Sequence, residues 1–298
     1  MEEVHPKVVV TGGAGFIGSS LVEALIHMGA TVIVIDNLCS GTLENLFNFL
    51  DNPNLIFVKA DLKKLPETFN VFNDCDIVFH LAANSDVQIG SSNTKIDFED
   101  NLLATYNVLE RIRRSKTCRK VLFTSTSTVY GDATQIPTPE NYGQSNPISV
   151  YGASKLACES LILGYSNMFG IKSAIVRLAN IIGPKSNHGI IYDLVEKLRL
   201  NLSTLEVLGD GKQDKSYLYI DDCINAIIVA YLSLEYNNSR IFNVGSEDKI
   251  DVRTVVHLIM QEMRVDHVKI NFNLKTNDGR GWPGDVKYML LDSSKIRH

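Results

Sequence analysis

The sequence lacks the features that define several protein classes. No apolar stretch approaches the roughly 20 residues of a membrane span, and the acidic opening passes into a strand too soon for a signal peptide. Five cysteines occur without paired spacing, and seven histidines show no metal-ligand spacing. The net charge of −5 gives a nucleic-acid partner no general electrostatic support. We therefore expect a cytoplasmic protein with reduced thiols, no metal, no membrane association and no nucleic-acid partner.

The composition is that of an ordinary globular protein. The 298 residues are 45% hydrophobic and 21% charged, enough for one large domain or two lobes. Six short apolar runs, several ending in a polar residue, alternate with amphipathic helical segments: 8–10, 31–36, 56–61, 77–83, 121–126 and 172–178. This alternation predicts an α/β fold of the Rossmann type, a doubly wound parallel sheet.

A glycine motif follows the first run. Gly12, Gly15 and Gly18 stand between a β-branched strand and an amphipathic helix, with Phe16 and Ile17 among them. In that context Gly12 permits a tight turn, Gly15 a close approach to a pyrophosphate, and Gly18 close packing of the helix. The pyrophosphate then lies on the helix N-terminus. The alternative is a glycine-rich turn without a ligand.

Asp36 ends the second strand, 18 residues after Gly18. A carboxylate there binds a ribose 2′-hydroxyl and repels a 2′-phosphate, and no arginine follows in 37–41, so we expect NAD rather than NADP. The alternative is a solvated acid at a strand end. Further cofactor contacts are expected where the second, third and fourth strands end: Asn37, Leu38, Ser40, Gly41, Asp61, Leu62, Leu81, Ala82 and Ala83.

Tyr151 and Lys155 stand four residues apart at the start of a helix, so their side chains share one face. An ammonium group, or an oxidised nicotinamide, lowers the pKa of a tyrosine from its usual value near 10. The resulting phenolate is a general base for an alcohol proton. Thr126 or Ser125, where the fifth strand ends, is expected to hold that alcohol. The alternative is a surface Tyr–Lys pair.

The alternation weakens beyond Pro184 and resumes near Tyr217. We predict that residues 1–183 and 216–245 form an NAD-binding Rossmann domain, with Tyr217–Ile220 returning to the sheet. Residues 184–215 and 246–298 are predicted to form a smaller α/β substrate lobe. His80 is expected to be a packed core histidine.

These motifs together resemble the extended short-chain dehydrogenases/reductases of the nucleotide-sugar epimerase/dehydratase family, and within it the UDP-glucose 4-epimerases of archaeal type. The matching segments are 11–18, 36–38, 80–83, 125–131, 151–155 and 242–245. The resemblance implies that Tyr151 takes the sugar 4-hydroxyl proton while hydride passes to NAD. It also implies that Lys155 orients the nicotinamide ribose and that Thr126 binds the sugar oxygen.

The resemblance assigns further contacts by position. Asp61 and Leu62 would meet adenine, Asn101 would lie beside the cofactor, and Asn180 would bind the phosphates of the nucleotide sugar. Lys215 stands where the family usually has an arginine for the diphosphate. Arg280 precedes the family's usual arginine position by two residues, so it is either a second diphosphate contact or a loop arginine.

Ser127 and Thr128 separate this chain from some of its relatives. The related 4,6-dehydratases carry Asp-Glu there, and the related decarboxylases carry a Glu before Val-Tyr-Gly. Without an acid, elimination lacks its acid/base group, whereas epimerisation does not need one. We therefore expect an NAD-dependent 4-epimerase of UDP-galactose and UDP-glucose. The resemblance further implies a homodimer formed through the helices near 98–114 and 152–168. The alternatives are another epimerase, a dehydratase or decarboxylase of the family, or a non-catalytic NAD-sensing module.

Overall fold

The computed structural model describes residues 5–66, 69–235 and 239–298. The strands, numbered along the chain, are β1 Lys7–Thr11, β2 Thr31–Asp36, β3 Leu55–Lys59, β4 Ile77–His80, β5 Lys120–Thr126, β6 Lys172–Leu178, β7 Asn180–Ile182, β8 Thr204–Leu208, β9 Asp214–Lys215, β10 Tyr217–Tyr219, β11 Ser239–Val244, β12 Ile250–Asp251, β13 Lys269–Asn273 and β14 Tyr288–Met289.

The α-helices are α1 Phe16–His27, α2 Ile89–Ser92, α3 Thr94–Asp97, α4 Ala104–Arg114, α5 Val150–Phe169, α6 Ile190–Leu200, α7 Ile220–Leu232, α8 Val252–Met263 and α9 Ser294–Arg297. Short 3₁₀ turns lie at Leu43–Phe49, Leu62–Lys64, Val71–Asp74, Ser127–Tyr130 and Ser233–Glu235, and a π-helical turn spans Phe98–Leu103. Along the described residues, no helix combines the length and apolarity needed to cross a membrane.

Seven parallel strands form the main sheet in the order β11-β6-β5-β4-β1-β2-β3. The strand order reverses between β1 and β4, and ligands of open α/β sheets bind at such a switch point, beyond the strand carboxyl ends. The predicted Rossmann-type, doubly wound sheet is therefore confirmed.

The sheet is covered on both faces because successive strand residues point in opposite directions. In β1, Val8 and Val10 pack into the core under α1 and α7, while Val9 packs into the core under α4 and α5. All three valines are fully buried. This two-sided burial explains the near-continuous apolar runs of the sequence.

A separate apolar core lies between α6, α8 and the parallel pair β8–β13. Tyr217–Ile220, expected to return to the sheet region, packs Leu218 and Ile220 against the core of the main sheet but does not join that sheet as a strand. The edge of β6 is taken by β11, so Tyr217–Tyr219 pairs instead with Asn180–Ile182 in a two-stranded sheet of its own. The proposed lobe boundaries at 183, 215 and 245 remain a prediction.

Candidate active site

A cavity of about 810 Å³ lies over the carboxyl ends of the main-sheet strands. One side is formed by residues that follow β1, β2, β3, β4 and β5 and by the first turn of α5. The opposite side is formed by α6, β8 and the segment from Trp282 to Met289. The fold therefore brings the predicted cofactor and catalytic segments to one space.

The glycine loop lines this cavity where β1 passes into α1. Gly12 adopts a φ of +69°, and a methyl group there would lie 2.8 Å from the backbone nitrogen of Ala82. A methyl group on Gly18 would lie 2.0 Å from the carbonyl oxygen of Gly12. Gly15 precedes α1 and supplies no side-chain cap, so the first-turn amides face the cavity edge. This cradle fits a dinucleotide pyrophosphate.

Asp36 lies at the cavity wall beyond β2 and is held in place by the backbone. Its Oδ2 accepts from the amide of Ala14 (3.0 Å) and its Oδ1 from the amide of Leu38 (2.8 Å). Each carboxylate oxygen retains a second lone pair, so the group can still accept a hydrogen bond from a ribose hydroxyl.

Most of the other predicted cofactor residues line the cavity: Phe16, Ile17, Asn37, Ser40, Asp61, Leu62, Leu81, Ala82 and Ala83. Leu38, Gly41 and Asn101 do not. Leu38 has a φ of +61° that turns the chain after β2, and Gly41 packs against the backbone of Ala14. These residues shape the wall from behind.

Tyr151 and Thr126 both line the cavity. Ser149 caps α5 by accepting from the amide of Gly152 (3.0 Å), which sets Tyr151 in the first turn. Burial and the charge of Asp97 raise the pKa of Tyr151 above its usual value, while a hydrogen bond with Thr126 acts in the opposite direction. The expected lowering by Lys155 is not seen, because removal of the phenol from water dominates the pKa and the charges of Asp97 and Cys158 act in the same direction.

Lys155 lies one helical turn further along and is only 3% exposed. Its Nζ stands 4.3 Å from the ring centroid of Phe123. Burial lowers the pKa of Lys155 to about 8, and the nearby Cys158 and Glu159 oppose that shift. The charged form of Lys155 is thus less favourable in this pocket than it would be in water.

Ser125 lines the cavity but directs its hydroxyl elsewhere. Its Oγ donates to Glu159 Oε1 (2.5 Å), and Glu159 is paired with Arg177 at 2.6 Å in a buried network. Of the two candidates for the alcohol-binding hydroxyl, the geometry therefore favours Thr126. The sequence could not separate them because both residues end the same strand.

His80 is a packed core residue, as expected. It hydrogen-bonds Thr11 Oγ1 (2.7 Å) and Thr105 Oγ1 (2.9 Å), and burial lowers its pKa to about 3, with Lys155 contributing. In the residues that the structure describes, no three potential ligands converge on a metal position.

The wall opposite the catalytic helix contains several unpaired polar atoms. Gln213 Oε1, Tyr217 Oη and Trp282 Nε1 are buried without a hydrogen-bond partner, and all three residues line the cavity. Lys215 stands among them, with its Nζ 2.6 Å from Asp285 Oδ1. The sequence analysis did not select Gln213 or Tyr217, although each lies two residues from Lys215, which it did select.

The two remaining substrate candidates differ in position. Asn180 lines the cavity at the start of β7, where its side chain donates to the carbonyl of Ser216 (3.0 Å). Arg280 does not line the cavity. Its guanidinium pairs with Asp132 at 2.8 Å and with Asp278 at 2.5 Å, and it donates to the carbonyl oxygen of Asp285 at 2.6 Å.

Comparison with known proteins identifies the family. The model of the "NAD dependent epimerase/dehydratase family" matches residues 8–245. A putative UDP-glucose 4-epimerase of Methanocaldococcus jannaschii is 36% identical over 97% of this chain and 90% of its own length. UDP-glucuronic acid decarboxylase 4 of Arabidopsis thaliana is 31% identical over 91% of this chain and 60% of its own.

The fold comparison agrees. A crystal structure of a UDP-galactose 4-epimerase superposes with a TM-score of 0.85 and 39% identity, covering 97% of this chain and 90% of that one. The chain belongs to the NAD-dependent epimerase/dehydratase family, and its cofactor is NAD. The glycine cradle and Asp36 provide the groups that this dinucleotide requires.

Proposed function

We propose that the protein is a nucleotide-sugar 4-epimerase that interconverts UDP-galactose and UDP-glucose. The observation that carries the proposal is the meeting of Tyr151, Thr126 and Lys155 at the carboxyl end of β5, beside the glycine cradle. An NAD-sensing module needs the cradle and Asp36 but has no use for this catalytic set.

Tyr151, Thr126 and Lys155 each have a separate role in the proposed reaction. When bound, oxidised NAD supplies the hydride acceptor and a positive charge that favours the tyrosine phenolate. Tyr151 accepts the 4-hydroxyl proton, Thr126 donates to the same oxygen, and Lys155 binds the nicotinamide ribose. The 4-keto sugar turns within the cavity on its nucleotide tether, and Tyr151 returns the proton while hydride is added to the other face.

The opposite wall would hold the nucleotide. Trp282 Nε1 and Tyr217 Oη offer donors and Gln213 Oε1 offers an acceptor, each buried and without a partner in the protein. Buried polar groups are seldom left unpaired, so these atoms favour a ligand rich in oxygen and N–H groups. Asn180 and Lys215 would contact the phosphates, whereas Arg280 would first have to leave its two carboxylates.

Thr128 favours epimerisation over decarboxylation or dehydration. Its hydroxyl lies 3.1 Å from Thr126 Oγ1 at the cavity wall, in the position where the dehydratase and decarboxylase branches carry a glutamate. A hydroxyl cannot serve as the acid/base group of an elimination at neutral pH. Decarboxylation of a nucleotide sugar, the activity for which one relative is named, is the second candidate function. A UDP-uronate is the substrate that tests it.

We also propose the two-lobe division predicted from the sequence and a homodimer formed through the helices near 98–114 and 152–168. Phe98 and Met168, one on each segment, are 57% and 76% exposed. Burial of such side chains between two copies would remove apolar surface from water. Light scattering at several protein concentrations tests the dimer, and a monomeric mass at all of them would refute it.

The function is tested by incubating the purified protein with UDP-galactose, without added cofactor, and following UDP-glucose. Product formation that is lost in Tyr151→Phe, with bound NAD retained, supports the assignment. UDP-glucuronic acid is tested in parallel. Release of carbon dioxide from it, with no turnover of UDP-galactose, would replace the proposal with a decarboxylase.

A further inference from the structure

Asp97 is a buried carboxylate close to α5 that no motif of the sequence indicated. It ends α3, directly before the π-helical turn, and its exposure is 0%. Its Oδ1 accepts from Asn84 Nδ2 (2.9 Å) and Asn101 Nδ2 (3.4 Å). Its Oδ2 has no hydrogen-bond partner and occupies the space that the absent side chain of Gly90 leaves, 2.2 Å from where a Cβ would stand.

The two amides that Asp97 binds connect the cavity wall to α5. Asn101 Oδ1 accepts from the backbone amide of Asn84 (2.8 Å), which fixes the segment after Ala83. Asn101 Nδ2 donates to Ser154 Oγ (2.8 Å), and that hydroxyl donates to the carbonyl oxygen of Tyr151 (2.8 Å). Asp97 therefore anchors a hydrogen-bonded frame, formed by Asp97, Asn101 and Ser154, that ends at the carbonyl oxygen of Tyr151, the predicted base.

Asp97 also acts by its charge. The charges that act on Asp97 are those of Asp86 and Asp100. The groups that act on Tyr151 are Asp97 and Cys158, and Lys155 lies one turn further along the same helix. Two negative charges in one desolvated region repel each other strongly. Burial also raises the pKa of Asp97 itself, and in its ionised form Asp97 disfavours the phenolate that the reaction needs.

We propose that Asp97 is a positioning residue for Tyr151, which holds the first turn of α5 through Asn101 and Ser154. The proposal rests on Tyr151 being the base of the proposed reaction. It gives a physical reason for a buried carboxylate with an unpaired oxygen at this point, since a residue needed for packing alone would be apolar.

The charge effect is tested without any substrate, on the NAD-bound protein. Ionisation of Tyr151 is followed by tyrosinate ultraviolet absorbance, each variant being compared with the same variant carrying Tyr151→Phe. Asp97→Asn should increase the phenolate present at a given pH about tenfold, which is one pKa unit. Glu99→Gln, which removes the same charge from the neighbouring and more exposed position, should leave the titration unchanged. Equal titrations of Asp97→Asn and the parent would overturn the charge effect.

The frame is tested by Ser154→Ala and Asp97→Ala, with NAD content as the check on folding. Ser154→Ala breaks the link to the Tyr151 carbonyl without altering any charge, so kcat for UDP-galactose should fall about tenfold with KM unchanged. Asp97→Asn keeps the acceptor oxygen and should retain more of kcat than Asp97→Ala. Full activity in Ser154→Ala would overturn the positioning role. A parent protein inactive on UDP-galactose refutes the proposed function, while the tyrosinate titration still decides the charge effect.

Discussion

Lys215 Nζ lies 2.6 Å from Asp285 Oδ1 in the wall opposite the catalytic helix, and Asp285 is only 2% exposed. The second oxygen of Asp285 accepts from the amide of Gly281 (3.2 Å). Lys215 also stands 5.6 Å from the ring centroid of Trp282. The cation expected to meet a diphosphate is therefore held by an internal carboxylate, which reduces the charge it presents to the cavity.

The pair makes a prediction for nucleotide binding. Lys215→Met should weaken UDP binding and lower the unfolding free energy by about 2 kcal/mol, because Asp285 is left buried without its cation. Asp285→Asn should strengthen UDP binding because the ammonium is released. The double variant should regain most of the stability but not the affinity. Calorimetric titration with UDP measures the affinity, and urea unfolding measures the stability, of the parent and the three variants. Equal UDP affinity in all four proteins would contradict the assignment.

Substitutions of Ser125 and Thr126 should affect different properties: the stability of the protein for Ser125 and its catalytic rate for Thr126. Thr126→Ala should lower kcat about a hundredfold, because it removes the donor to the reacting oxygen, whereas Thr126→Ser should retain activity. Ser125→Ala should lower the unfolding free energy by about 1–2 kcal/mol, since Glu159 loses a hydrogen bond, with little change in kcat. Steady-state rates and urea unfolding test this, and a catalytic loss in Ser125→Ala equal to that of Thr126→Ala would contradict it.

Local chemistry allowed the sequence to indicate which residues at the end of β5, in the first turn of α5 and in the glycine loop line the cavity. The spacing of Gly12, Gly15 and Gly18 has meaning because the backbone itself meets the ligand, and the four-residue spacing of Tyr151 and Lys155 follows from helix geometry. The direction of side chains across the cavity depends on tertiary packing. This is why the sequence left Arg280 open between a diphosphate contact and a loop arginine, and did not indicate its pairing with Asp132, 148 residues away.

The same limit explains Asp97 and the strand at Tyr217–Tyr219. A carboxylate four residues before Asn101 is ordinary on an amphipathic helix, and nothing local shows that it faces inward. The strand had the apolar pattern of a sheet member, but the edge beside β6 was already occupied by β11. Which strand pairs with a given sheet edge depends on the whole fold and not on the sequence of one segment.

Lys155 makes a prediction for the pH dependence of stability. Burial lowers its folded-state pKa to about 8 from 10.5, so between these values the unfolded chain binds more protons than the folded one. The unfolding free energy should therefore rise with pH across this interval, by up to about 3 kcal/mol. Lys155→Met should lack this rise. Urea unfolding of both proteins at several pH values measures the difference, and parallel profiles would contradict the shifted pKa.

Gly18 and Gly164 provide a matched pair of glycine-to-alanine changes in helices. A methyl group on Gly18 would lie 2.0 Å from the carbonyl oxygen of Gly12, so Gly18→Ala must displace the glycine loop. We expect loss of bound NAD and a loss of about 2 kcal/mol or more in unfolding free energy. Gly164, exposed in α5, has no atom within 4 Å of the added methyl, so Gly164→Ala should gain about 1 kcal/mol from helix propensity and retain NAD.

Urea unfolding and the NAD content of the purified variants distinguish the two outcomes. If Gly18→Ala retained NAD at the level of Gly164→Ala, the close approach of α1 to the loop would not be what forms the dinucleotide cradle. The phosphate site would then depend on the first-turn amides alone. If both variants lost NAD, the effect would come from the destabilised fold, because Gly164 lies in a different helix and outside the cavity wall.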